Sequence, residues 1–303
     1  MAKVNIQELL DNGVHFGHLT RKWNPNMAPY IYTERNGVHI IDLYKTVAKI
    51  EETSDALQKI ANSGRKILFV ATKKQAKDIV AEKAKTVNMP FITERWPGGM
   101  LTNFITIRKA VKKMATIDRM KQDGSFDALS KREKLQINRQ REKLEKNLGS
   151  ISDMTRLPGA LFVVDIKKEH IAVAEAQKLN IPIFAMVDTN SDPRLVDFVI
   201  PENDDASKSI EKVLSHVTDA IAEGLSNRKA DKEKTKEAPK AEAKEVKTEA
   251  TEVEEVKTEV TEAPKAEAKK APKAKVKEVK EVKAKKKPKV KEAKTDTPSE
   301  ETK

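Results

Sequence analysis

The 303-residue sequence has no cysteine, few aromatic residues and no long apolar run. Without cysteine the chain can form neither a disulfide bond nor a thiolate metal site, which suits a reducing cytosol. No segment approaches the roughly 20 apolar residues that a membrane-spanning helix needs, and the N-terminal residues lack the apolar core of a signal peptide. The sequence therefore predicts a soluble, cytoplasmic protein that does not contact a membrane.

The C-terminal part of the chain, residues 231–303, also lacks Leu, Ile, Met, Gly and every aromatic residue. Such a stretch cannot bury enough apolar area to offset about 1–2 kcal/mol of backbone entropy per residue. We therefore expect a disordered, low-complexity tail of Lys, Glu, Ala, Pro and Val. The folded domain is expected to span residues 1–230.

Positive charge is concentrated in one part of this domain. The whole chain has a net charge of +12, of which 22 Lys and 18 acidic residues in the tail contribute only +4. Residues 104–149 alone contain 13 Lys or Arg against 6 Asp or Glu, which is nearly the whole excess of the domain. A nucleic acid or an acidic partner would neutralise such a surface. The alternative is a solvated helical surface.

Short apolar strands alternate with helices along most of the domain. This alternation predicts parallel βαβ units, and the uninterrupted apolar strands predict a sheet that is covered on both faces. We therefore predict an α/β fold with a doubly wound, mostly parallel sheet of flavodoxin-like or Rossmann-like type. The predicted strands are 66–71, 91–92, 160–164, 183–187 and 198–200, and the predicted helices are 5–12, 44–61, 73–86, 168–179 and 206–226.

Residues 104–149 depart from this alternation. Apolar residues recur on a narrow stripe from Phe104 to about Lys121, and a second helix begins at Ser130, which forms a capping-box pattern with Glu133. Narrow stripes on two long, adjacent helices are typical of an antiparallel coiled coil. We predict a coiled-coil hairpin that protrudes from the domain.

Residues 13–25 have neither helical nor strand periodicity, so the burial of one face does not explain their composition. The segment combines basic side chains with an aromatic plane, which suits phosphates and unpaired bases. An Asn-Gly pair at residues 36–37, between apolar runs, predicts a β-hairpin next in the chain. The candidate RNA contacts of this region are Arg21, Lys22, Trp23 and Arg35.

Residues 95–103 place Arg95 and Trp96 before a Gly-Gly turn and the start of a helix. A helix that begins after glycines exposes backbone N–H groups to phosphate, although an ordinary loop-to-helix turn has the same composition. Like charges follow at i, i+4 spacing on the helix, and a polyanion would relieve their repulsion. The further candidate contacts are Arg95, Trp96, Arg108, Lys109, Lys112 and Lys113.

Three blocks, residues 13–25, 35–42 and 95–103, resemble the bacterial small-subunit ribosomal protein two family in their order and spacing. The resemblance covers roughly residues 4–226, and the long tail departs from the family pattern. It implies a non-catalytic constituent of the small ribosomal subunit, without a cofactor, that binds ribosomal RNA at the junction of head and body. It also implies neighbouring small-subunit proteins as partners, a role in assembly and translation, and docking of ribosomal protein one.

Three histidines raise the possibility of a metal site, since His15 and His18 form a His-x-x-His pair and His39 follows. No carboxylate or cysteine lies near them in the sequence, and a structural zinc site needs four good ligands. We therefore predict no metal site. The histidines are expected to form hydrogen bonds within the fold or to contact RNA.

Asp165, Asp188 and Asp192 follow predicted strands, where open α/β sheets place ligand sites. The same residue types also form hydrogen-bonded turns, and the chain lacks the glycine-rich phosphate-binding motifs. An enzyme that acts on a nucleotide or a phosphorylated substrate is therefore the weaker alternative. A free-standing RNA chaperone is the other.

Overall fold

The computed structural model describes residues 4–249 of the chain, and the side chains of residues 4–230. Internal contacts divide the chain between Lys247 and Thr248, and the description below concerns the first of the two units. The part of the predicted tail from residue 250 onward lies outside the described residues.

The described residues contain eight strands and seven α-helices, besides short 3-10 turns. The strands are β1 (Phe16–Leu19), β2 (Ile31–Arg35), β3 (Val38–Ile41), β4 (Ile67–Val70), β5 (Phe91–Ile92), β6 (Ala160–Val164), β7 (Ile183–Val187) and β8 (Phe198–Pro201). The helices are α1 (Ile6–Asp11), α2 (Leu43–Ser63), α3 (Lys74–Thr86), α4 (Phe104–Gln122), α5 (Lys131–Leu148), α6 (His170–Lys178) and α7 (Ser207–Glu249).

Five strands form a parallel sheet in the order β5-β4-β6-β7-β8. In chain order the five strands are therefore arranged 2-1-3-4-5, which is the order of flavodoxin-like folds. This arrangement confirms the predicted parallel α/β sheet. It also sets the switch point of the topology between β4 and β6.

The sheet separates two apolar cores. Along β4, Ile67 and Phe69 belong to one core, with residues of α2, α3 and α7. Leu68 and Val70 belong to the other, with residues of α6 and the base of the α4–α5 pair. Successive side chains of a strand point to opposite faces, so a sheet covered on both sides has continuously apolar strands. The sheet is therefore doubly wound, as predicted.

A second, antiparallel sheet in the order β1-β3-β2 precedes the parallel one. The predicted hairpin is confirmed, because Asn36 and Gly37 have φ angles of 53° and 73° at the turn between β2 and β3. Strand β1 was not predicted. It pairs with β3 in an irregular register, and its terminal residues Phe16 and Leu19 are both exposed, so no alternation marks it in the sequence.

Helices α4 and α5 pack against each other as a helical hairpin joined by residues 123–130. The capping box at the start of α5 is confirmed, since Ser130 accepts a hydrogen bond from the backbone N–H of Glu133. At the base of the hairpin, Phe104 and Leu144 pack against the second core. Coiled-coil packing of the two helices stays a prediction.

Helix α7 is longer than the predicted helix over residues 206–226, and the expected domain boundary at residue 230 falls inside it. The sequence beyond residue 226 is rich in Lys, Ala and Glu, which have high helix propensity. No helix in the described part of the chain combines the length and apolar character that a membrane crossing requires.

Candidate functional site

Hydrogen bonds join the segments that follow β4 and β6, on the two sides of the switch point. The backbone N–H of Thr72 donates to the Glu169 carboxylate at 3.1 Å, and the Lys168 ammonium donates to the Thr72 carbonyl at 2.8 Å. Glu169 is buried, and this burial raises its pKa. Open α/β sheets bind ligands at this point, and here protein groups bond to one another across it.

Lys73 links the end of β4 to the loop that follows β8. Its ammonium lies 2.7 Å from the Asp204 carboxylate, 2.5 Å from Asp205 and 3.9 Å from Asp165. Burial lowers the pKa of Lys73, but hydrogen bonds to Asp204 and Asp205 outweigh this effect and raise it. The cation is thus held in a buried position by several carboxylates.

His18 joins the same cluster from β1. Its Nδ1 lies 2.9 Å from Asp188 Oδ2, and its Nε2 lies 3.4 Å from Asp205 Oδ2. The hydrogen bond to Asp188 raises the pKa of His18, which favours the imidazolium form. His18, one of the three histidines considered for a metal site, therefore forms hydrogen bonds within the fold, which is one of the two roles expected for it.

Two further carboxyl groups of the cluster are deeply buried. Neither oxygen of Glu202 has a hydrogen-bond partner among the described residues, and the same holds for Oδ2 of Asp204. Burial raises the pKa of Glu202 well above its usual range, and the charges of Asp204 and Asp188 add to this effect. Burial and the nearby Asp188 and Asp165 raise the pKa of Asp204 to about 7. The cluster therefore holds more carboxyl groups than its cations can balance.

The geometry also overturns the argument made against a metal site. His18, Asp188 and Asp204 each offer one ligand atom, and these atoms lie within 4.8 Å of one another. An imidazole nitrogen with two carboxylate oxygens is a donor set that can hold a divalent cation. The sequence hid this set because the carboxylates lie about 170 residues after the histidine.

The same edge of the sheet holds the segment that contains β1, which we call the N-terminal arm (residues 16–41). The Thr189 hydroxyl accepts a hydrogen bond from the backbone N–H of His18 at 2.8 Å. The Thr189 carbonyl accepts another from the backbone N–H of Asn24, also at 2.8 Å. A Cβ at Gly17 would lie 2.6 Å from the Thr189 methyl carbon, so glycine is required for this approach. The arm is thus fastened directly to the loop after β7.

The aspartates after the strands hold the arm and its supporting turn in place. Asp192 accepts a hydrogen bond from the Asn26 amide at 3.1 Å and another from the backbone N–H of Arg194 at 3.0 Å. Asp165 accepts from the backbone N–H of Lys168 at 3.2 Å. The sequence analysis gave two possible roles for these aspartates, a ligand site and hydrogen-bonded turns, and these contacts are of the second kind.

Four candidate RNA contacts of the arm are accessible. Arg21 and Lys22 are exposed on a short 3-10 turn, and Arg35 is exposed at the end of β2. The Trp23 side chain is 37% exposed, and its ring packs 5.0 Å from the His39 ring. The arm therefore presents cations and part of one indole face to the solvent.

Trp96 is the candidate that the structure contradicts. It is only 6% exposed and lies in the second core, where its indole N–H donates to the Glu175 carboxylate at 3.1 Å. A base cannot stack on a ring in this position. The neighbouring Arg95 is exposed and remains accessible to RNA.

The backbone N–H groups of the Gly-Gly turn, which the sequence offered to a phosphate, bind a carboxylate of the protein itself. The backbone N–H groups of Gly99, Leu101 and Thr102 all donate to the Glu175 carboxylate, at 2.7, 2.9 and 3.1 Å. Burial raises the pKa of Glu175, but the bonds from Trp96 and these N–H groups outweigh it and lower the pKa. The anion that these donors bind belongs to α6, far along the chain.

The basic residues of α4 have no such partner. Within residues 4–230, no carboxylate lies within ion-pair distance of the four cations, whereas Asp118 and Glu145 of the hairpin both pair with Arg141. All four side chains are exposed. The hairpin therefore carries uncompensated positive charge on α4. The four cations are Arg108, Lys109, Lys112 and Lys113.

Comparison with known proteins identifies the family of this chain. The family described as ribosomal protein S2 matches residues 9–224. The chain belongs to this family. A small ribosomal subunit protein uS2 from Flavobacterium johnsoniae is 75% identical over 243 residues, which cover 80% of this chain and 96% of the relative. The protein of the same name from Parabacteroides distasonis is 66% identical over 247 residues, which cover 80% and 89%.

Membership in the S2 family confirms the resemblance that the three sequence blocks suggested. The family consists of structural proteins of the small ribosomal subunit and not of enzymes.

The buried Glu175 provides a test of how the 95–103 loop is held. We expect Glu175→Gln to destabilise the protein by about 1–3 kcal/mol, because the amide group would face N–H donors that need an acceptor. The chain has two tryptophans, so a Trp23→Phe background isolates the fluorescence of Trp96. In this background, Glu175→Gln should shift the emission maximum of Trp96 to longer wavelength, as expected for a more exposed indole. Denaturant unfolding and fluorescence would measure both effects. The exposed Glu142→Gln is the control, and equal behaviour of the two variants would contradict this role.

The raised pKa of Asp204 predicts a pH-dependent effect of Asp204→Asn. The unfolded chain loses this proton near pH 4 and the folded chain only near pH 7, so the stability of the wild type falls as the pH rises from about 4 to 7. With a chelator present, the stability of the variant relative to the wild type should therefore rise by roughly 1–3 kcal/mol between pH 5 and pH 8.5.

Asp205→Asn supplies the opposite expectation for the same cluster. The pKa of Asp205 is lowered, since hydrogen bonding to Lys73 outweighs burial, so its ionised form stabilises the protein at high pH. This variant should therefore be less stable than the wild type at pH 8.5. Urea unfolding at pH 5 and pH 8.5 measures the stability of both variants. If the relative stability of Asp204→Asn does not rise between these pH values, or if Asp205→Asn is as stable as the wild type at pH 8.5, the pKa directions given for Asp204 and Asp205 are wrong.

Proposed function

We propose that this protein binds ribosomal RNA of the small subunit through two surfaces, the N-terminal arm and the basic side of α4. The observation that supports this most directly is the set of α4 cations that no described carboxylate balances. Such a surface gains affinity for a polyanion through the release of counterions. The RNA also relieves the repulsion between like charges along the helix.

The contacts that we assign on the first surface are Arg21, Lys22, Trp23 and Arg35, and the exposed Arg95 in the loop after β5 is a further assigned contact. The cations would bind phosphates, which positions the protein without reading sequence. The exposed part of Trp23 would stack on an unpaired base. On the second surface, the contacts are Arg108, Lys109, Lys112 and Lys113.

This proposal extends to the place and role of the protein in the bacterial ribosome. The protein would act in the cytoplasm, at the junction of head and body, where the α/β domain contacts neighbouring small-subunit proteins. It would support subunit assembly and translation and the docking of ribosomal protein one. The helical hairpin would act as a protruding coiled coil that reaches RNA at a distance from the sheet.

The arm surface predicts a loss of phosphate contacts in the variant Arg21→Ala/Lys22→Ala. If both side chains bind phosphates, the slope of log K against log salt should fall by about 2, since each contact contributes about 0.9. Filter binding of the full-length chain to small-subunit ribosomal RNA over a salt series measures this slope. Co-sedimentation with small subunits on a gradient tests the function as a whole.

The matched control is Lys59→Ala/Lys178→Ala, which removes the same charge from exposed positions near the C-terminal ends of α2 and α6. This control should leave the slope unchanged. Equal slopes for the two double variants would contradict the arm as an RNA surface. A wild-type chain that binds RNA but never sediments with small subunits would favour the free-standing RNA chaperone.

A further inference from the structure

A cleft lies at the base of the hairpin, between α4 and the segment that follows α5. We call it the hairpin-base cleft. Its volume is about 110 Å³, several times the roughly 30 Å³ that one water molecule occupies in the liquid. Its walls combine apolar side chains with two cations at the rim. The residues that matter here are Phe104, Ile107, Val111, Met154, Arg108 and Lys112.

The apolar walls of the cleft are a continuation of the second core. Met154 is 6% exposed, while Phe104, Ile107 and Val111 are half-buried and pack against that core from α4. These side chains therefore have one covered side and one side that faces the cleft. An apolar ligand of about one ring could cover the open side without any rearrangement of the helices.

The cations of α4 divide into two pairs relative to this cleft. Arg108 and Lys112 line it, whereas Lys109 and Lys113 are exposed but do not. Each member of the second pair follows a member of the first by one residue, which is about 100° around the helix axis. The sequence suggested that the four cations share one basic face. In the structure, Arg108 and Lys112 border the apolar cleft, whereas Lys109 and Lys113 face solvent.

We propose that the hairpin-base cleft binds one unpaired nucleotide of an RNA strand. The base lies against Ile107, Val111 and Met154, and its phosphate is bound by Arg108 and Lys112. This inference rests on the function proposed above and adds to it the kind of RNA element that is bound. Thr155, an exposed residue at the same rim, supplies a hydroxyl that can bond a base edge.

The combination of an apolar wall and two cations favours an unpaired nucleotide over an RNA duplex. A duplex presents phosphates but keeps its bases stacked inside, so it would contact the cations and leave the apolar wall uncovered. A splayed-out nucleotide covers both at once. A carboxylate side chain of a protein partner would pair with the two cations but would leave most of the apolar wall uncovered.

The test compares two double variants of the full-length chain, Arg108→Ala/Lys112→Ala and Lys109→Ala/Lys113→Ala. They remove equal charge from the same helix. Fluorescence anisotropy measures their binding to a labelled 12-nucleotide single-stranded RNA and to a blunt RNA duplex of the same length, at one salt concentration. The first variant should lose about fivefold more single-strand affinity than the second. The two should lose similar duplex affinity.

A third variant, Val111→Phe, fills the cleft without changing the charge. It should weaken single-strand binding by about fivefold and leave duplex binding unchanged. Thermal melting shows whether this variant folds, and the two charge variants decide the question if it does not. Equal single-strand losses in the two charge variants would overturn the cleft. An acidic peptide is also added as a competitor. If the peptide displaces the RNA from the wild-type chain but does not bind the Val111→Phe variant, the cleft belongs to a protein partner and not to RNA.

These outcomes are separate from those that concern the proposed function. If the wild-type chain joins small subunits and binds their RNA while the two charge variants behave alike, only the nucleotide site is wrong. If the wild-type chain binds neither single-stranded RNA nor small subunits, the proposed function itself is wrong.

Discussion

A buried group of opposite charges fastens the N-terminal arm to the carboxyl edge of the parallel sheet. Lys73 reaches Asp204 and Asp205 from the end of β4, and His18 reaches Asp188 from the arm. Removing the Lys73 ammonium would leave carboxylates without their counter-charge, and such a loss typically costs about 3–5 kcal/mol. The pair of His18 with Asp188 and the hydrogen bonds that Thr189 accepts from the arm fix β1 at this edge, while the buried Met27 anchors the arm in the second core.

Other contacts at the same edge bear on how a fold that elsewhere binds small ligands can serve as a structural protein. In open α/β sheets the crevice beyond the carboxyl ends of the strands is the usual ligand site. Here hydrogen bonds join Thr72 to Glu169 and Lys168 across it, and the arm is bonded to the loop after β7. The exposed chemistry lies instead on the arm and on α4. This arrangement suits contact with an extended partner such as RNA.

Local patterns in the sequence predicted the fold well, because they report local physics. The Asn-Gly pair at residues 36–37 requires a left-handed turn, and Ser130 with Glu133 caps a helix within one turn. Apolar strand-length runs are sufficient to predict a sheet covered on both faces. The sequence did not predict the order of the parallel strands, because it left open whether the sheet is of flavodoxin-like or Rossmann-like type.

The site was less predictable because its determinants are distant in the sequence. In the sequence, Trp96 has the features of a base-stacking residue. In the structure, its indole N–H donates to Glu175, which lies 79 residues later in the chain, and the ring is in the core. His18 resembles an isolated histidine until Asp188 is placed beside it. Strand β1 gave no periodic signal because its only partner is β3, in an irregular register. Charge was the exception, since the excess on α4 is visible in the sequence itself.

Ultraviolet cross-linking of small subunits that contain this chain, followed by mass spectrometry of the cross-linked peptides, tests the central claim most directly. The account predicts that RNA cross-links fall on residues 21–35 of the arm, on Arg95 and on the α4 side of the hairpin. Cross-links confined to the exposed faces of α2, α3 and α7 would contradict it, because those helices cover the opposite side of the sheet.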